Sequence, residues 1–179
     1  PGVVDDIDIG SGGEDHDIYL VIDKSGSMGA PRNRYLLVRT FLTNLIRGLQ
    51  RAADDDNKPV TDTTYRFHVV GFSSQAGWYT TGWQSLNMSV SLIDSINKAS
   101  QPHGGTNYTA AFRLIQTQLS LEITKANPYR PRESAKKAIL FISDGLSMSG
   151  GGSDVYNPII RDLQSTYDCT VYPILLGKT

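Results

Sequence analysis

Three mainly apolar stretches, Ile18–Ile22, Ala138–Ile142 and Thr170–Leu176, constrain this chain more than any other feature. A strand with one solvated face alternates apolar and polar residues. A run without that alternation needs cover on both faces, as in a parallel sheet held between two layers of helices. A fourth stretch, Tyr65–Phe72, alternates more, and Gly77–Thr80 follows it at hairpin distance as a short antiparallel partner.

The segments between these runs carry the helical period. Val38, Phe41, Leu42, Leu45 and Leu49 recur on one face and predict a long amphipathic helix from about Arg34 to Ala53. Tyr108, Ala111, Ile115 and Leu119 repeat the pattern behind Asn107, a residue suited to cap a helix start. Asn157 and Pro158 read as cap and first residue of a helix running through Ile160 and Leu163 to Tyr167. A weaker pattern covers Ser89–Asn97. Strands alternating with helices predict an α/β fold: a doubly wound, Rossmann-like, mostly parallel sheet flanked by helices, with a short antiparallel edge strand. In such sheets ligands bind outside the carboxyl ends of the strands, which directs attention to the loops after Ile22 and Ile142.

Bulk properties narrow the function. The 179 residues suffice for one domain with a sizeable core. With 17 basic and 18 acidic residues the net charge is −1, so no broad basic surface for nucleic acid or anionic membrane is expected. No window reaches the ~18 apolar residues of a membrane helix, and the start lacks the basic and apolar parts of a signal peptide. Cys169, the single cysteine, cannot form an internal disulfide and reads as a buried core residue. Residues 1–16, acidic and Gly-rich, read as a linker or tail, and 17–179 as the domain. A chain beginning at Pro1 reads as a piece of a longer protein. The sequence stops at Thr179, just after its last expected strand, where a further helix normally covers such a sheet, so that face is expected to be completed by something missing.

The loop after the first strand, "DKSGS", carries the chemistry. Asp23, Ser25 and Ser27 alternate along an extended turn, so their oxygens can face one side. Hydroxyl and carboxylate oxygens suit a hard cation such as Mg²⁺, Mn²⁺ or Ca²⁺. The strand "ILFIS" ends on a second carboxylate, Asp144, and two such groups at neighbouring strand ends repel unless a positive charge lies between them. "HGGTNYTAAF" adds Thr106 in a loop just before a helix.

These residues resemble the von Willebrand factor A, or integrin I-like, domain. "DKSGS" fits its D-x-S-x-S signature, and Thr106 and Asp144 match its later threonine and aspartate, over the chain from about Asp17 to Thr179. The resemblance implies a metal-ion-dependent adhesion site. Ser25 and Ser27 would be direct ligands, Asp23 and Asp144 would bind directly or through water, and so would Thr106. One position would be left for an acidic group of a partner. It also implies a non-enzymatic adhesion module of a larger extracellular or cell-surface protein, monomeric within its chain and not inserted into a membrane. An intracellular assembly scaffold of the same fold is the alternative reading. A phosphoryl-transfer enzyme is disfavoured, because a haloacid dehalogenase-type site wants an acid where Ser25 stands. Neither a G-x-S-x-G elbow nor a P-loop occurs.

The expected rim comprises Gly29–Arg34, Gln101–Gly105 and the "SMSGGGSD" stretch, with Arg32, Arg34 and His103 read as solvated surface rather than ligand contacts. Trp78, Tyr79 and Trp83 form either a contact patch or edge-strand packing, and His68 reads as structural. Asn87 and Asn107 begin N-x-S/T sequons, relevant in a eukaryotic secretory protein.

Overall fold

The computed structural model describes residues 14–121, 130–145 and 152–176. Strand β1 (His16–Asp23) runs through the centre and every one of its residues is buried. It pairs in parallel with β2 (Tyr65–Phe72) on one side and with β5 (Lys136–Ser143) on the other. Strand β6 (Cys169–Leu175) extends the sheet in parallel beyond β5. Two short strands, β3 (Ala76–Trp78) and β4 (Gln84–Ser85), pair antiparallel with β2. The strand order is β3-β2-β1-β5-β6, with β4 also on β2.

The unbroken apolar runs are explained by the two cores. Ile18, Leu20 and Ile22 of β1 pack with Val38, Leu42 and Ile46 of α1 (Arg34–Asp55) and Leu92 and Ile96 of α2 (Ser89–Ala99). Tyr19 and Val21 point the other way, to Phe112 and Ile115 of α3 (Tyr108–Ser120) and Ile159 and Leu163 of α4 (Ser153–Ser165). Alternate residues of one strand therefore serve opposite layers, and none is left for solvent. A fully buried Leu or Ile contributes about 1.5–3 kcal/mol, so the central strand anchors the fold.

Pro173 sits inside β6 without cost to the ladder. The Leu176 amide donates to the Ser143 carbonyl at 2.8 Å, and the alternation of a parallel ladder then turns the even-numbered amides of β6 to β5. Residue 173 faces away from β5, where a missing N–H breaks nothing.

Helix α4 departs from expectation. It starts at Ser153, and Pro158 lies in its interior rather than at its first position. The helix is entered through Gly152, whose carbonyl accepts from Val155 and Tyr156. Pro158 is exposed, so the carbonyl one turn back that loses its partner can turn to water. By contrast, Asn107 caps α3 as expected, its side chain accepting from the Ala110 amide at 3.0 Å.

The aromatic group beside the hairpin is packing rather than a contact patch. The rings of Tyr19 and Trp83 lie 5.0 Å apart, His68 and Trp78 4.4 Å apart, and Trp83 Nε1 donates to the Arg130 carbonyl at 2.8 Å. His68 is fully buried and its Nδ1 meets the Thr80 hydroxyl. Cys169 is buried too, and that burial pushes its thiol up to about 12.

At the amino-terminal end of the sheet, Asp17 holds a buried ion network. Arg66 donates to its two carboxylate oxygens at 2.8 and 2.7 Å. Arg132 adds its backbone amide at 2.6 Å and its Nη2 at 2.9 Å. Burial opposes the charge, but these donors outweigh it and hold the carboxyl below its usual range.

Candidate functional site

The carboxyl ends of β1 and β5 are adjacent, so the fold brings Asp23 and Asp144 to the same edge of the sheet. Beyond Asp23 the chain turns through a short 3₁₀ segment, Gly26–Met28, with Met28 plugged into the core. Asp23 steadies this turn by accepting the Ser25 amide at 2.8 Å. The Ser25 and Ser27 hydroxyls are 2.9 Å apart, and Ser27 donates to Asp144 Oδ2. Oxygens of Ser25, Ser27 and Asp144 thus form a continuous cluster, although Asp144 is 117 residues distant in sequence from Ser27.

Two backbone bonds draw in the third loop. The Gly26 amide donates to the Gly104 carbonyl at 2.8 Å, and His103 donates to the Lys24 carbonyl at 2.6 Å. Gly104 has φ +79, a left-handed conformation that suits glycine. Thr106 follows two residues later, buried, just ahead of the Asn107 cap.

Electrostatically the site is poised rather than relaxed. Asp23 is fully buried, and its carboxyl is pushed above its usual range. Burial is the main cause; the Ser25 and Ser143 hydrogen bonds oppose it, and the Asp144 charge adds to it. Ser143 donates to Asp23 Oδ2 at 2.7 Å and in turn contacts the Tyr108 hydroxyl at 2.6 Å, tying the site to α3. Since the Ser143 proton is used on Asp23, Tyr108 is the donor in that second bond.

Arg34 differs from expectation. It is buried, not solvated, with Nη1 3.8 Å from Asp144 Oδ2. Its signal in the sequence was a cation at a helix start, where the macrodipole disfavours positive charge unless a carboxylate answers it. Ser143 was also missed, though a serine closing an otherwise apolar strand beside Asp144 marks it. Arg32 and His103 are exposed as expected, and Lys24 Nζ donates to the Tyr79 hydroxyl at 2.6 Å. Of the expected rim, residues 146–151 lie outside the described residues, as do residues 1–13 of the lead-in.

The donor set fits a hard divalent cation in kind. It offers serine hydroxyls and two buried carboxylates, with a desolvated Asp23 whose charged form calls for a compensating cation. Among the described residues no cluster of three His, Cys, Asp or Glu side chains exists, so a soft-metal or all-carboxylate site is not on offer there. No helix among the described residues is long and apolar enough to cross a membrane.

An open, mostly parallel sheet between helices, with hydroxyls and carboxylates gathered at the strand ends, defines the von Willebrand factor A class of α/β domain. The family model of the von Willebrand factor type A domain matches residues 17–178, and the chain belongs to that family. No curated protein sequence matches it.

Several solved structures share the fold. A manganese-loaded TRAP protein of Plasmodium vivax superposes with TM-score 0.63 at 23% identity, over 92% of this chain and 59% of the other. Proximal thread matrix protein 1 of the mussel byssus, with a zinc-occupied MIDAS motif, gives 0.64 at 20% identity, over 92% and 36%. The type V pilus tip protein Mfa5 of Porphyromonas gingivalis gives 0.57 at 16%, over 88% and 51%. The chain therefore spans between about a third and three-fifths of those proteins, and at such identities the likeness establishes the fold.

Proposed function

We propose that residues 17–179 form a non-enzymatic, metal-dependent binding module that captures a carboxylate of a protein partner. Asp23, Ser25, Ser27, Thr106 and Asp144 would hold the divalent cation, Mg²⁺ in the first instance, with Mn²⁺ or Ca²⁺ as substitutes. One observation carries this reading: Ser27 lies within hydrogen-bond reach of both Ser25 and Asp144, so two loops from distant parts of the sequence present hard oxygens to one place. A bound cation supplies there a Lewis-acidic position for an external acid.

The chain's own residues do the rest. Asp23 fixes the turn through the Ser25 amide, Ser143 and Tyr108 orient Asp23, and the Gly26–Gly104 bond holds the threonine loop beside the serine loop. The manganese and zinc in two structures of the same fold support a divalent ligand. The pilus-tip protein supports a place outside the cell, within a larger chain. Of the expected lead-in, 1–16, His16 already belongs to β1, and the residues before it would serve as a lead-in.

The test is calorimetric titration of Mg²⁺, Mn²⁺ and Ca²⁺ into metal-stripped protein, with Asp23→Ala and Ser27→Ala as controls. Saturable one-to-one binding in the wild type, lost in both variants, is expected. Absence of binding by all three ions overturns the reading.

A further inference from the structure

The proposed metal site carries a positive charge of its own. Arg34 opens α1, a helix whose first turn contains no acidic residue. A guanidinium there opposes the helix dipole and is nearly excluded from water, its side chain 7% exposed. Asp144 offsets that cost: its own side chain is 0% exposed, and the Oδ2 that faces Arg34 also accepts from Ser27. Lys24, the basic residue inside "DKSGS", is directed to Tyr79, its Nζ 5.0 Å from the ring centroid as well as bonded to the hydroxyl, and Arg32 is exposed.

We infer that Arg34 sets the coupling between the cation and the acidic ligand, lowering affinity for the cation alone and making the loaded site seek a carboxylate. This rests on the metal reading above. Two ionised carboxylates and one guanidinium leave the metal-free site with a single negative charge. A divalent ion turns that into a single positive charge, which a visiting carboxylate neutralises. A site with the same carboxylates and no arginine is neutral once loaded, and a visiting acid leaves it negative. In a water-poor setting such differences are felt strongly. Arg34 thereby sharpens selection for partners that present an acid and discourages retention of the bare ion.

The experiment is calorimetric Mg²⁺ titration in sodium acetate and in sodium chloride at equal ionic strength, for wild type, Arg34→Gln and Arg34→Lys. Wild type is expected to bind Mg²⁺ about tenfold more tightly in acetate than in chloride, a coupling of ordinary size. R34Q should bind Mg²⁺ about tenfold more tightly than wild type in chloride and lose most of the acetate effect. R34K, which keeps the charge, should behave as wild type. Equal wild-type affinity in the two salts overturns the role of Arg34 whether or not R34Q folds. An R34Q that matches wild type in both salts overturns it too. A wild type that takes up no Mg²⁺ in either salt overturns the metal reading itself.

Discussion

Asp17 and Asp23 close the two ends of the same buried strand, both fully excluded from solvent, and their surroundings push their protonation in opposite directions. Burial raises both. At Asp17 two arginines reverse the sign, whereas at Asp23 only neutral hydrogen-bond donors oppose it and the Asp144 charge reinforces it. One end of β1 is built for stability; the other is left with charge that a cation can relieve.

The first prediction follows from that contrast. Asp17→Asn leaves two partly buried guanidinium groups facing a neutral amide and should destabilise the fold by roughly 3 kcal/mol. Asp23→Asn removes a desolvated charge; its single amide oxygen can still accept from the Ser25 amide while its NH₂ donates to Ser143, whose proton then turns to Tyr108, so metal-free stability should stay within about 1 kcal/mol. Urea denaturation of both variants in a chelator measures this.

The same two groups predict a pH dependence with separable windows. Asp17, depressed below its ordinary 3.8, contributes stability that is present above pH 3.8 and lost as pH falls through its folded value. Asp23, raised above 3.8, contributes stability that is full below that pH and lost as pH rises through its folded value. Metal-free wild type should therefore be slightly more stable in mildly acidic solution than at neutrality. The difference should vanish in Asp23→Asn, as read from thermal melts across the range.

How far these features were legible depends on whether they are local. Strand β2 and the capped start of α3 were readable because alternation and an Asn cap act over a few residues. The start of α4 misled because Asn-Pro imitates a cap, while the helix tolerates its proline on the solvent side. Strand β4, two residues long, leaves no pattern to read. At the site, the spacing of Asp23, Ser25 and Ser27 is a local signal. The parts played by Arg34, Ser143 and the Asp17 network depend on β5 lying beside β1, and on partners separated by as many as 120 residues.

Glycine positions near the site give a third prediction. A Cβ on Gly71 would fall 2.5 Å from Tyr79 Cε1 and 3.1 Å from the Ala99 carbonyl oxygen. Gly71→Ala must displace the tyrosine ring and with it the bond from Lys24. Gly104→Ala has room, its nearest neighbour being Ser73 Oγ at 3.4 Å, but its φ of +79 is strained for alanine by about 1–2 kcal/mol. Both variants should lose stability in denaturant. In Gly104→Ala the loss should be accompanied by weaker Mg²⁺ binding, because the Gly26–Gly104 bond carries the threonine loop.

The fourth prediction concerns the strut behind the site. Burial pushes the Tyr108 phenol up to about 12, and the negative charges of Asp23 and Asp144 act in the same direction, against the relief given by Ser143. Because the unfolded chain releases that proton near its ordinary 10.0, the folded state is favoured below that pH and loses this contribution as pH rises towards 12. Ultraviolet titration should show Tyr108 ionising after the exposed tyrosines, in a late phase shared with the buried Tyr19, and Tyr108→Phe should remove one phenol from that phase. The same variant deprives Ser143 of a donor but leaves its own bond to Asp23, so it should cost about 1 kcal/mol while retaining Mg²⁺ binding. A Tyr108→Phe that abolished binding would mean that α3 positions Asp23 more directly than the Ser143 contact implies.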